Sequence, residues 1–257
     1  MNSIMTDSAR TTAPSPGMPP LYSAEDPNPA ALSALEPSST ANLEPPFLKA
    51  GEIWELGHTT ETGHTGYEIK RNDDTLYYVA HYHSQDQPDV VVYGGYDSTG
   101  PRLAQSSFMR YSKDFKIYIG DQKTPAEEAD YDMVICEGGG LFSNAAYSFE
   151  PRRTTDKLYW KKTSDRKLGA SIFSPRDVKL VDAKNGDVIA AYIEHGSGSQ
   201  FMYGSIKFYK EIRESSAVAA LTVLMSLLEK FRRARFRHEL QVNVGQQLRY
   251  VGRICDV

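Results

Sequence analysis

The chain reads as a mainly β domain: a sandwich or barrel of about twelve short antiparallel strands, followed by one hydrophobic C-terminal helix. Three observations predict it. Short runs of alternating or β-branched residues recur at regular spacing between residues 47 and 210, with Gly, Asn, Asp and Ser turns between them. No helical pattern lies between those runs to act as a crossover, which argues against a parallel sheet. A single uncharged run, residues 215–228, then breaks the β texture once.

A leader precedes the strands. Residues 1–46 hold 9 of the 14 prolines, no Trp and no Phe, and carry one basic residue, Arg10, against five acidic ones. Such a segment buries little apolar surface and cannot supply a continuous hydrogen-bond ladder, so 1–46 is expected to be a disordered Pro-rich leader. The strands follow. Residues 115–119 alternate cleanly, with Phe115, Ile117 and Ile119 on one face. Residues 67–71 and 76–83 flank Asn72-Asp73-Asp74, and 178–181 and 188–193 flank a turn containing Asn185-Gly186; both are hairpin signatures. Residues 90–93 and 102–108 flank a loop rich in Gly, Asp and Ser. Further strands are expected at 53–56, 131–136, 146–150, 157–162, 170–173 and 201–210.

The helix is expected over 215–236. Its uncharged part spans on the order of 21 Å, short of a hydrocarbon core of roughly 30 Å, so no transmembrane span is predicted. Ser215, Thr222, Ser226, Glu229 and Arg233 form one thin polar stripe, and the remaining surface is apolar. A helix apolar nearly all round must be enclosed, and the preceding strands are the available enclosure. Beyond it, Leu240, Val242 and Val244 alternate, so 238–257 is expected to add an edge strand.

Composition narrows the function classes. Beyond the leader the chain carries 28 basic and 28 acidic residues, and a formally neutral body argues against a nucleic-acid binder. Cys136 and Cys255 are too few for a disulfide framework or a paired metal site. No secretory signal is visible, which makes the cytoplasm the expected location, with peripheral membrane association.

Tyr159-Trp160-Lys161-Lys162, then Arg166-Lys167-Leu168-Gly169, then the hairpin 178–193 and the helix 215–231 carry a resemblance to a known group. Over residues 47–237 the chain resembles the tubby C-terminal superfamily, which includes phospholipid scramblases and LURP-one-related proteins, and looks most like its uncharacterised fungal members. The resemblance implies an α+β fold in which a twelve-stranded antiparallel barrel encloses the C-terminal helix. It also implies phosphoinositide binding through basic residues on the barrel surface. The acidic calcium-binding segment and the cysteine cluster of scramblases are not visible in this sequence.

Arg152, Arg153, Lys157, Lys161, Lys162, Arg166 and Lys167 place seven cations within sixteen residues, and by analogy the anionic-lipid site is expected there. Several convergent Lys and Arg donors are what a phosphate requires. A solvated charged face is the alternative. Lys230, Arg232, Arg233, Arg235 and Arg237 form a second basic group, which either complements the helix dipole or contacts lipid heads. His81 and His83 share a strand face, with His58 and His64 upstream; they are expected to be surface or edge histidines, with no metal site. Residues 182–187 lack the ligand pattern of a calcium loop, and Gly138-Gly139-Gly140 lacks the Lys-Ser or Lys-Thr of a phosphate loop. No catalytic constellation is recognised and no cofactor is called for. The expected function is therefore non-enzymatic binding of anionic membrane lipids or phosphoinositides. A soluble protein-interaction module is the alternative, and a small-ligand carrier or enzyme is the third reading.

Overall fold

A computed structural model describes residues 47–59, 66–84, 86–120, 131–138, 145–151, 156–196 and 203–254, with side chains to residue 236. The leader 1–46, His64, Gly139, Gly140, Arg152, Arg153 and Cys255 lie outside the described residues.

Twelve strands close into one antiparallel barrel. They are β2 (Ile53–Thr59), β3 (Gly66–Arg71), β4 (Asp74–His81), β5 (Val90–Gly94), β6 (Arg102–Phe108), β7 (Phe115–Ile119), β8 (Asp132–Glu137), β9 (Ala146–Phe149), β10 (Leu158–Lys162), β11 (Val178–Asp182), β12 (Val188–Glu194) and β13 (Gly204–Phe208). Each pairs with its neighbours in sequence, and β13 closes on β2 through Ile206 opposite Trp54. The hairpin signatures hold: Asn72 and Asp73 both take positive φ between β3 and β4, and Gly186 does so between β11 and β12.

Antiparallel closure of a meander requires an even number of strands, and the expected strand at 170–173 has no place in it. Those residues form turns between β10 and β11, after a 3-10 turn at Arg166–Leu168. Two short strands were not expected: β1 (Phe47–Leu48) pairs with β14 (Ile212–Arg213) just before the helix. The helix α1 spans Glu214–Ile254. The edge strand expected in 238–257 is therefore corrected: the backbone is helical through Ile254, continuing the helix that begins at Glu214.

The barrel lining alternates with outward residues, as in β10, where Leu158 and Trp160 are buried and Tyr159 and Lys161 are half-buried. Twelve strands enclose a lumen wider than their own side chains fill, and the helix occupies it. Every side chain from Ala217 to Glu229 is buried, as is Phe231. Trp160 Nε1 donates to the carbonyl of Ala220 at 2.9 Å, tying β10 to the helix. The polar stripe is matched by the wall: Ser226 Oγ bonds Ser106 Oγ of β6 at 2.6 Å, and Thr222 Oγ1 donates to Val218 O at 2.8 Å.

The helix has a fixed direction. Its first residue, Glu214, meets Tyr77 near the start of β4 (3.3 Å), and Glu229 meets His81 at the end of β4. The helix thus leaves the barrel at the rim made by the connections after β4, β6, β10 and β12. No described helix is long and apolar enough to cross a membrane.

Candidate functional site

The connection between β10 and β11 is built around one buried carboxylate. Asp177 is 1% exposed and accepts from Ser171 N (2.7 Å), Ser174 Oγ (2.9 Å) and Glu194 N (3.0 Å). Arg176 pairs with Glu194 beside it. Asp165 accepts from Lys167 N at 2.9 Å, and Gly169 closes the 3-10 turn in the left-handed conformation. This fixed loop carries Arg166 and Lys167 outward, next to Lys162 at the end of β10.

The ladder brings in cations that are distant in sequence. Lys161 stands directly opposite Lys179 of β11; Lys179 stands opposite Ala191 of β12, and Ala191 opposite Lys207 of β13. Lys207 Nζ also sits 5.4 Å from the Tyr209 ring. Like charges directly opposite on a sheet cost a few tenths to about 1 kcal/mol, so an anion placed between them is favoured. Among the described residues, no carboxylate lies within ion-pair distance of Lys161, Lys162, Arg166, Lys167, Lys179 or Lys207. Lys157 differs: it bonds Glu137 at 3.0 Å, and that bond raises the lysine's pKa while lowering the glutamate's. It therefore separates from Lys161, Lys162, Arg166 and Lys167 of the expected site. Lys179 and Lys207 escape sequence reading because only the strand register places them there.

Lys230, Arg232 and Arg233 of the second basic group are structural. Glu229 is fully buried; Arg232 donates to it through Nε and Nη2 (2.7 and 2.8 Å) and Arg233 through Nε (2.6 Å). His81 Nδ1 lies 3.0 Å away, off the line of a straight hydrogen bond. Burial alone would raise the Glu229 carboxyl; the close approach of His81 and the bonds from Arg232 outweigh it and hold the group well below the usual carboxylate range. Arg233 continues to Asp89 Oδ1 (2.5 Å) and Tyr82 O (2.7 Å). Lys230 donates to the carbonyls of Ser112, Lys113 and Asp114, and burial pulls its ammonium down to about 8.

His81 is corrected from a surface histidine to a buried one, because its strand position faces the lumen where Glu229 needs a donor. His83 lies just beyond the strand, 59% exposed at its side chain, with burial first and then Arg233 lowering its pKa. His58 packs on the Tyr67 ring at 5.6 Å. The arginines occupy the Glu229 oxygens, and among the described residues no group of three or more His, Cys, Asp or Glu side chains is arranged to hold a metal ion.

No protein-family model and no curated protein matches the chain. Among solved structures, the X-ray structure of a protein from Arabidopsis thaliana is similar at 9% identity and a TM-score of 0.42, over 70% of this chain and 93% of that one.

Proposed function

We propose that the chain is a non-enzymatic, tubby-like barrel that docks on anionic membrane lipids or phosphoinositides through the cations of β10, β11 and their connection. The proposal places it in the cytoplasm, peripheral to a membrane. One contrast supports it. Several cations elsewhere on the barrel have partners: Lys70 with Glu68, Arg71 with Glu52, Lys184 with Asp156, Lys210 with Asp187. Lys161 and Lys179, opposite one another, and Lys162, Arg166 and Lys167, close along the chain, have none among the described residues. Convergent unpaired cations are what a phosphate headgroup recognises, at about 1 kcal/mol for each near an anionic surface. The lumen, filled by the helix, leaves little volume for a substrate, which supports a binding role over an enzymatic one.

Charge reversal tests the reading. Lys161→Glu with Lys162→Glu should weaken binding to phosphatidylserine or phosphoinositide vesicles by tenfold or more, at about 1 kcal/mol per charge removed and further repulsion from each carboxylate. Lys161 lies on the outer face and Lys162 is exposed at the end of β10, so the unfolding midpoint should stay within about 0.5 kcal/mol of the wild type. Unchanged vesicle binding in this variant would remove the site. A protein-interaction module is the second reading, favoured by Met133 and Ile135, which stand 40% and 49% exposed on β8. It predicts binding that is indifferent to lipid charge.

A further inference from the structure

The two ends of the barrel differ in charge. Among the described residues at the end where the helix begins, Arg71, Lys184 and Lys210 are ion-paired. That end also presents Asp73, Asp74, Asp182 and Glu211, with no cation within ion-pair distance among the described residues. A cleft of about 410 Å³ there is lined by four carboxylates, Asp156, Asp182, Asp187 and Glu211, against two cations, Lys210 and Arg213. An anionic surface would repel this end.

The rim where the helix leaves has the opposite character. Arg110, Lys162, Arg166 and Lys167 are exposed there, and no carboxylate pairs with them among the described residues. Asp86, Asp165 and Glu137, the last residue of β8, are exposed acids of the described part; Asp165 is engaged in capping the 3-10 turn and Glu137 pairs with Lys157. The same rim presents apolar side chains at its loop tips. Tyr111, after β6, is 94% exposed; Ile172 and Phe173, after β10, are 54% and 88% exposed. Phe236 is 58% exposed on the departing helix. The tips are held rather than loose: Asp177 and the Ser171 hydroxyl fix the backbone that carries Phe173, and Arg110 lies 5.2 Å from the Tyr111 ring. Exposed aromatic and aliphatic tips beside unpaired cations match the layered chemistry of a bilayer surface, with phosphates outside and acyl chains beneath.

We propose that the helix-exit rim is the membrane-facing surface. Phe173, Ile172 and Tyr111 enter the headgroup and upper acyl region of an anionic phospholipid bilayer, while Arg110, Lys162, Arg166 and Lys167 engage its phosphates. The inference rests on the lipid reading above and adds to it an orientation and an apolar anchor.

Tryptophan reporters test it in the full chain. Trp54 and Trp160 are both buried in the barrel, so a new exposed indole is read against a constant background. Phe173→Trp and Tyr111→Trp report on the proposed rim, and Tyr96→Trp reports on the opposite one. With vesicles of phosphatidylserine and phosphatidylcholine carrying brominated acyl chains, the indoles at 173 and 111 should shift to the blue and be quenched. The indole at 96 should do neither. Ile172→Ser with Phe173→Ser should lower vesicle affinity by about tenfold or more and leave the unfolding midpoint unchanged. If the chain sediments with anionic vesicles while the indoles at 173 and 111 stay unquenched, the rim assignment is overturned and the lipid reading survives. A folded chain that binds no vesicle overturns both and leaves the rim to a protein partner.

Discussion

Glu229 is the residue on which the barrel's exit rim depends. Its carboxylate lies out of water and is held by two arginines and a histidine, so removing its charge leaves guanidinium groups without their partner. Glu229→Gln should lower the unfolding free energy by about 3 kcal/mol at neutral pH, measured by denaturant titration. The pH dependence has a definite sign. Because the folded carboxyl is depressed, its contribution is present above the unfolded value of about 4.3 and is lost as pH falls toward the folded value. The gap between wild type and variant should therefore narrow below about pH 4; a gap that widens on acidification would contradict the network. At this scale the sequence was partly legible. The polar stripe through Thr222, Ser226, Glu229 and Arg233 could be read from helical spacing, but its partners Ser106, His81 and Asp89 could not. They lie more than a hundred residues away and meet the helix only once the barrel closes. His81 looked like a surface residue because polar neighbours follow it, although its strand position faces the lumen.

At the scale of elements, the helix stands or falls with its enclosure. Leu224 is fully buried midway along it. Leu224→Asp should abolish the cooperative melt, because an unpaired carboxylate in a core costs several kcal/mol. Leu224→Ala should instead keep the melt and lower stability by about 2–5 kcal/mol. Retention of full stability by the aspartate variant would place the helix outside the barrel. The helix and most strands were legible because local pattern and burial agree in them: β6 and β7 coincide with the alternating runs that predicted them. Residues 170–173 misled because Ala, Ser, Ile and Phe read as a short strand. In the fold, Asp177 captures Ser171 N and Ser174 Oγ and turns the chain, leaving Ile172 and Phe173 in solvent. That error lies within the loop that carries the proposed membrane anchor. An apolar pair with no core to join reads as structure in a sequence and as an exposed patch in three dimensions.

The whole molecule joins these features into one oriented object. Strict up-and-down connectivity sends alternate loops to opposite ends, so residues far apart in sequence share a rim while neighbours in sequence are separated. Closure into a barrel also gathers Lys161, Lys179 and Lys207 on one outer face through register alone. The cluster around 152–167 was legible as a charge run; the split between Lys157, paired with Glu137, and Lys161, Lys162, Arg166 and Lys167, with no carboxylate partner among the described residues, was not, because pairing is decided by which strands become neighbours. The most direct measurement is co-sedimentation of the full chain with neutral, phosphatidylserine and phosphoinositide vesicles at low and high salt. The account predicts binding to the anionic vesicles alone, weakened at high salt as screening shortens the reach of the exposed lysines and arginines. Equal binding to neutral vesicles, or none to any, would contradict it.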